Sequence, residues 1–165
     1  MKTGIIIIFH NNEKHIDTAI FIKQLSQAKD IQFCLVNNAS KDNTILALQE
    51  IKEARLQNVS VVDIRKFKSD VSAVRAGARF MFSQFNLKHL GYVSINLLNI
   101  KYKGLNSLIK AISENHEVIV DYNAETLKRR DIKLTLFQSL FSVIEYLKKI
   151  KVNNQFIDRQ CLTQF

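Results

Sequence analysis

The chain has 165 residues, 47% hydrophobic and 24% charged, with a formal net charge of +9 at neutral pH. That length suits one domain with one sizeable core, and the composition is that of a globular protein rather than a fibrous or disordered one. No apolar run is long enough to cross a bilayer, and the charge favours anionic neighbours such as nucleotide phosphates, an acidic membrane face or nucleic acid.

The opening MKTGIIIIFHNNE has the outline of an export signal. Its apolar run is too short for one and lacks a small-residue cleavage site, so Ile5 to Phe9 reads as a first strand, buried on both faces because it does not alternate. Without an export signal the expected compartment is the cytoplasm. There the two cysteines, Cys34 and Cys161, stay reduced, Cys34 as a small core residue. After the loop His10 to Glu13, a helix turns Ile16, Ala19, Ile20 and Leu25 inward. Ile31 to Val36 is a second strand that breaks into the polar turn Asn37-Asn38-Ala39-Ser40. A second helix with Ile45, Leu48 and Ile51 follows, with Ser40 as its expected N-cap and Asp42 in its first turn. Val59 to Ile64 is a third strand. Val71, Val74, Ala78, Met81, Phe82 and Phe85 form the stripe of a third helix. Gly91 to Ile95 is a fourth strand, Leu105 to Ile112 a fourth helix, and Glu117 to Asp121 a fifth strand.

From Leu127 to Lys151 the pattern is one long helix with Leu134, Phe137, Leu140, Phe141, Ile144 and Leu147 on one side. Lys128, Arg129, Arg130 and Lys133 crowd its start, and Lys148, Lys149 and Lys151 its end. Such a helix either packs its apolar side on the sheet or lies on an anionic membrane surface; the residues leave both readings open. Alternating strands and helices predict a single α/β domain over residues 1–165, with a mostly parallel sheet, helices on both faces and a long basic C-terminal amphipathic helix. Ligands of such sheets sit beyond the carboxyl ends of the strands.

Five stretches then fall into a familiar order. IIIIFHNNE at Ile5 to Glu13 resembles the first strand and loop of family-2 glycosyltransferases. LVNNASKDNT at Leu35 to Thr44 resembles their second-strand motif, which has two acidic residues or Asp-Asn where this chain has Asn37 and Asn38. AVRAG at Ala73 to Gly77 is similar to the start of the third helix in the branch acting on polyprenyl phosphates. GYVSINLLN at Gly91 to Asn99 stands where that branch has Asp-Ala-Asp. Asp158-Arg159-Gln160-Cys161 is similar to the Asp-Thr-Gln-Cys of dolichyl-phosphate glucosyltransferase-like enzymes, although Leu162-Thr163-Gln164 replaces the Gly-Phe-Lys that follows there.

The resemblance implies a GT-A fold that holds a UDP- or GDP-hexose and transfers the sugar to a polyprenyl phosphate or saccharide, at the inner face of a membrane. It places Phe9, His10, Asn12, Glu13, Asn37, Asn38, Ser40, Arg75, Ser94 and Asn96 around the nucleotide sugar. It puts Arg129, Arg130 and Lys133 at an acceptor or membrane phosphate, and Asp158 as the base for the acceptor. It also implies magnesium or manganese, but the Asp-x-Asp that would bind the ion reads Ser94-Ile95-Asn96, and a hydroxyl and an amide bring no negative charge. Two readings follow: a transferase with weak or no use of metal, or a catalytically inactive relative serving as a partner or regulatory subunit in glycan or lipid-linked sugar synthesis.

The plainer readings stand beside these. Asn37, Asn38 and Ser40 suit turns and caps, and Arg75 suits a solvated helix face. His10 and His15 lack the companions of a metal pair, and Cys161 has no histidine to activate it. With no nucleic-acid module and no interleaving of aromatic and basic residues, nucleic acid is not an expected partner.

Overall fold

The computed structural model describes residues 2–95, 104–130 and 135–149. The first strand, β1 (Lys2–Phe9), is followed by α1 (Thr18–Gln27), β2 (Ile31–Asn38), α2 (Thr44–Glu53), β3 (Val59–Ile64), α3 (Asp70–Gln84) and β4 (Leu87–Ser94). Then come α4 (Gly104–Glu114), α5 (His116–Lys128), the short strand β5 (Phe141–Ser142) and α6 (Val143–Lys149). The first four strands overlap the first four read from the sequence, with β4 beginning at Leu87, four residues before the expected Gly91. The order is β3-β2-β1-β4-β5, and every pairing is parallel. Register sets Phe9 opposite Asn37, Ile8 opposite Ser94 and Asn38 opposite Ile64, so the strand tips share one edge.

The lack of alternation in β1 and β2 has its physical reason in two cores. Ile5, Ile7, Phe9, Phe33 and Leu35 pack on one face with Phe21 and Leu25 of α1 and Leu48 and Ile51 of α2. Ile6, Ile8, Cys34 and Val36 pack on the other with Ala73, Val74, Ala78 and Met81 of α3. All eight residues of β2 are buried. Burial there pushes the Cys34 thiol up to about 12, so it stays protonated and inert. Along α1 the inward residues are Phe21 and Leu25, while Ile20 is 40% exposed, contrary to the sequence pattern.

Two expected elements are corrected. Glu117 to Asp121 is not a strand but the first part of α5. Only Ile119 of its apolar triplet is fully buried, Val118 is exposed, and the next buried residue, Asn123, lies four positions on, which is a helical period. The stretch from Leu127 is not one helix in the described residues: α5 ends at Lys128, a turn region leads to β5, and α6 begins at Val143. The cause lies in its apolar stripe, which serves two faces of the sheet. Phe137 and Leu140 join the core under α3, whereas Phe141, Ile144 and Leu147 join the opposite core. No single helix face reaches both sides, so the chain crosses at the sheet edge as β5. The ring of Phe141 lies over Gly91 of β4, where an added Cβ would stand 2.6 Å from Cε2. The apolar residues Val143, Ile144, Tyr146 and Leu147 of α6 are buried inside the protein. No helix among the described residues is long and apolar enough to cross a membrane.

At the opposite end of β4 from the shared edge, His89 is buried and bonded to α5. The Tyr146 hydroxyl donates to Asn123 Oδ1 at 2.8 Å, which turns Asn123 Nδ2 to donate to His89 Nδ1 at 2.8 Å. That bond needs a neutral ring, and burial, with the charges of Lys88 and His116 adding to it, lowers the histidine below its ordinary value. A lowered histidine binds fewer protons folded than unfolded. Its stabilising effect is therefore complete above about pH 6.5 and is lost as pH falls from there towards the folded value. Urea midpoints measured downward from neutral pH are expected to fall in this window for the wild type and to fall less for His89→Gln. An identical decline in the two proteins would remove His89 as the cause.

Candidate functional site

At the shared edge, the loops after β1 and β2 are joined by polar side chains that bond across the gap. The His10 ring donates from Nδ1 to the Asn38 carbonyl at 2.7 Å, and its Nε2 accepts from Asn11 Nδ2 at 3.2 Å. The Asn11 amide donates to Ser40 Oγ at 3.0 Å, and Asn11 Oδ1 accepts from the Lys41 amide at 2.7 Å. The Asn12 amide reaches Thr44 Oγ1 at 2.8 Å, and Asn12 Oδ1 accepts from the His10 amide at 2.7 Å. The Glu13 carboxylate takes both the amide and the side-chain nitrogen of Asn43, at 3.1 and 2.8 Å. Asn11 and Ala39, each two residues past the register-paired tips Phe9 and Asn37, both adopt left-handed backbone, φ 53° and 50°. For the alanine this is a strained conformation, costing about 1–2 kcal/mol.

The helix after β2 therefore starts later than Ser40. Its first residue is Thr44 and its N-cap is Asn43, whose side chain makes no capping bond. One residue earlier, Asp42 Oδ1 accepts from the Thr44 amide at 3.0 Å and from the Thr44 hydroxyl. The other oxygen of Asp42 accepts from the Glu13 amide at 3.1 Å. Burial pushes this carboxyl up, but the hydrogen bonds from Thr44 and Glu13 outweigh it and hold Asp42 below the ordinary carboxylate value.

The third loop, between β3 and α3, is tied in by Asn38. Its Nδ2 donates to the Lys68 carbonyl at 2.7 Å and its Oδ1 accepts from the Lys68 amide at 3.0 Å, so one buried side chain acts as a short piece of strand. The Ala39 amide donates to the Ile64 carbonyl at 2.8 Å beside it. On the other side of β1, Ser94 at the tip of β4 donates its hydroxyl to Asp70 Oδ2, the first residue of α3, at 2.9 Å.

The structure thus divides the residues expected at a nucleotide sugar. His10, Asn12, Glu13, Asn37, Asn38, Ser40 and Ser94 come together at the strand tips, but most of their polar side-chain atoms are bonded to neighbouring protein groups. Phe9 is wholly buried, edge-on to Phe21, and offers a ligand no side-chain surface. Arg75 turns away from the loops: its guanidinium lies 5.5 Å from the Phe137 ring, with Arg79 at 5.4 Å, beside a cavity of about 170 Å³ under α3. Arg129 is the C-cap of α5 and Arg130 bonds to the Gln138 carbonyl at 3.3 Å, so both belong to the connection into β5. Asn96, Lys133 and Asp158 lie outside the described residues.

One polar atom in the cluster is left over. Asn37 is 3% exposed, and its Nδ2 donates to Asp63 Oδ1 at 2.8 Å. A carboxylate only accepts, so the amide is fixed with Oδ1 turned the other way. That oxygen is buried and has no hydrogen-bond partner among the described residues. Sequence reasoning missed Asp63, although it sits opposite Asn37 in the register. It also missed Asp70, and it placed Asp42 in the first turn of the second helix, whereas Asp42 lies before the helix and bonds to Thr44 and Glu13.

The expected magnesium or manganese does not fit the described residues. They contain no group of three or more His, Cys, Asp or Glu able to hold an ion, and Ser94 presents its proton, not a lone pair, to the nearest carboxylate.

No protein-family model matches the chain, and no curated protein sequence does. Among solved structures it is similar to the mannosyltransferase PcManGT from Pyrobaculum calidifontis in complex with GDP-Man and Mn2+, with 16% identity and a TM-score of 0.42 over 48% of this chain. It is also similar to S. aureus TarS 1–349, with 17% identity and a TM-score of 0.45 over 70% of this chain. The same protein in complex with UDP-GlcNAc gives 18% identity and a TM-score of 0.40. The chain spans only 24%, 33% and 32% of the lengths of those three chains.

Replacing Asn38 with leucine strips both bonds from Lys68 and leaves its backbone groups to find water. Asn38→Leu is expected to lose about 1–3 kcal/mol in chemical denaturation, with faster amide exchange concentrated in residues 65–69. Unchanged exchange there would mean that Asn38 does not hold the loop.

Proposed function

We propose that the chain binds a nucleotide sugar across the tips of β1, β2 and β3, as a GT-A glycosyltransferase-like domain of family 2. The sheet order supports this reading. Connections run one way from β1 to β2 and β3 and then jump back to β4. In such sheets the ligand crevice opens where the order reverses, here between the tips of β1 and β4, with the tips of β2 and β3 extending it on one side. The order of the five motifs supports it as well.

The observation that carries it is Asn37 Oδ1. An unmet buried acceptor costs about 1–3 kcal/mol, and a ligand that donates a hydrogen bond there removes the deficit. The N3–H of uracil and the N1–H of guanine are both such donors, and the Asp63 carboxylate beside it is a second acceptor. UDP- and GDP-hexoses are accordingly the donors proposed. Transfer to a polyprenyl phosphate or saccharide is the activity that the resemblance attaches to them.

A specific observation favours a second reading, a nucleotide-sugar-binding partner without transferase activity. The place of the family's metal-binding carboxylates is taken by a Ser94–Asp70 hydrogen bond.

Calorimetry with UDP-glucose and GDP-mannose tests the binding, and Asn37→Leu tests its basis. Leucine there removes the unmet acceptor, so its melting temperature should hold or rise, while affinity drops about tenfold or more, as for a lost hydrogen bond with its partner left unpaired. A leucine variant that binds as tightly as the wild type would refute the role of Asn37. To separate the two readings, Ser94→Asp with Asn96→Asp is expected to introduce magnesium-dependent nucleotide binding if the crevice is otherwise intact. A folded double variant that gains none points to the partner reading.

A further inference from the structure

Resting on that reading, we propose that the loop Arg65-Lys66-Phe67-Lys68 recognises the nucleoside diphosphate itself, with Phe67 covering the base and the three cations meeting the diphosphate in place of a divalent ion. Four consecutive side chains carry the proposal. Phe67 is 60% exposed, the most exposed large hydrophobic residue described, and Arg65, Lys66 and Lys68 are exposed around it. The ring is nevertheless held: its centroid lies 4.8 Å from that of His10, tilted by 59°. His10 is in turn fixed by its bond to the Asn38 carbonyl.

The loop backbone is equally constrained. Asn38 grips Lys68 from both sides, and the Ala39 amide holds Ile64. An apolar ring held in water on a braced loop gains nothing for the fold by being there, since burial is what rewards apolar area. It is a surface ready for a flat ligand, as aromatic side chains are for bases in single-stranded nucleic acid.

The charge argument is independent of the ring. Among the described residues the one salt bridge joins Lys110 to Glu114 on α4, so Arg65, Lys66 and Lys68 have no ion-pair partner there. They follow directly on the Asn37–Asp63 pair, since Asp63 is the next-to-last residue of β3, two residues before Arg65. A diphosphate needs its negative charge met. Arginine forks and lysine ammonium groups do this without carboxylate ligands, and the described residues do not build a metal site at Ser94.

The test is titration of UDP, GDP, uridine and guanosine into wild type, Phe67→Ala and Lys66→Ala/Lys68→Ala, each in EDTA and in magnesium. All substituted side chains are exposed, and circular dichroism checks that the variants fold. The wild type is expected to bind a nucleoside diphosphate equally in EDTA and magnesium, less tightly as salt rises. The lysine pair should lose about tenfold or more for the diphosphate and nothing for the nucleoside, the size of one charged hydrogen bond. Phe67→Ala should weaken both. Diphosphate binding that requires magnesium, or that is indifferent to these substitutions, overturns the proposal while leaving nucleotide binding in place. Failure of the wild type to bind any nucleotide overturns both.

Discussion

The constraint on which the rest of this structure depends is the hydrogen-bonded seam between the loops after β1 and β2. Parallel strands end in polar backbone that no neighbouring turn satisfies. Here the loops satisfy each other, through Asn11 with Ser40 and Lys41, Asn12 with Thr44, and Glu13 with Asn43. Two left-handed residues, Asn11 and Ala39, make the geometry possible. Asparagine tolerates that conformation; alanine does so at a cost which several neighbouring hydrogen bonds, each worth about 0.5–1.5 kcal/mol, can offset. Strain of this kind persists only where the surroundings over-determine it, and such places cluster at functional sites. The seam fixes the tips of β1 and β2, Asn38 extends it to the third loop, and Asp70 extends it to the tip of β4.

Much of this was legible beforehand, for one reason. A strand buried on both faces must be a continuous apolar run, and β1 and β2 are such runs with polar breaks after them. The misreadings share a cause as well. Val118 to Val120 is β-branched enough for a strand, yet propensity is a weak guide when only Ile119 finds a core and Asn123 finds His89. The stripe from Phe137 to Leu147 has helical spacing, but spacing does not say that its residues serve opposite faces of a sheet.

At the site, residue types were readable and their partners were not. Asn12, Glu13 and Ser40 lie near the strand tips, but a sequence does not tell whether an amide bonds to a ligand or to the loop about 30 residues away. The basic-aromatic stretch Arg65 to Lys68 escaped notice for a related reason. Four residues in a loop carry no periodicity, and their meaning comes from the Asn38 clamp and the His10 ring.

Stability and binding pull against each other at Asn37, and this gives the site its direction. If folding alone governed the position, an apolar side chain of similar size would serve better. The amide leaves an acceptor unmet in a wall of buried neighbours, and its own hydrogen bond goes to an exposed aspartate. Nothing inside the described protein makes use of that oxygen. On the proposed reading a bound nucleotide supplies its donor, and that binding also stabilises the fold, by about 2.7 kcal/mol at a hundredfold excess over its dissociation constant. The seam therefore holds still one acceptor that nothing among the described residues completes, while the exposed Arg65–Lys68 loop presents positive charge.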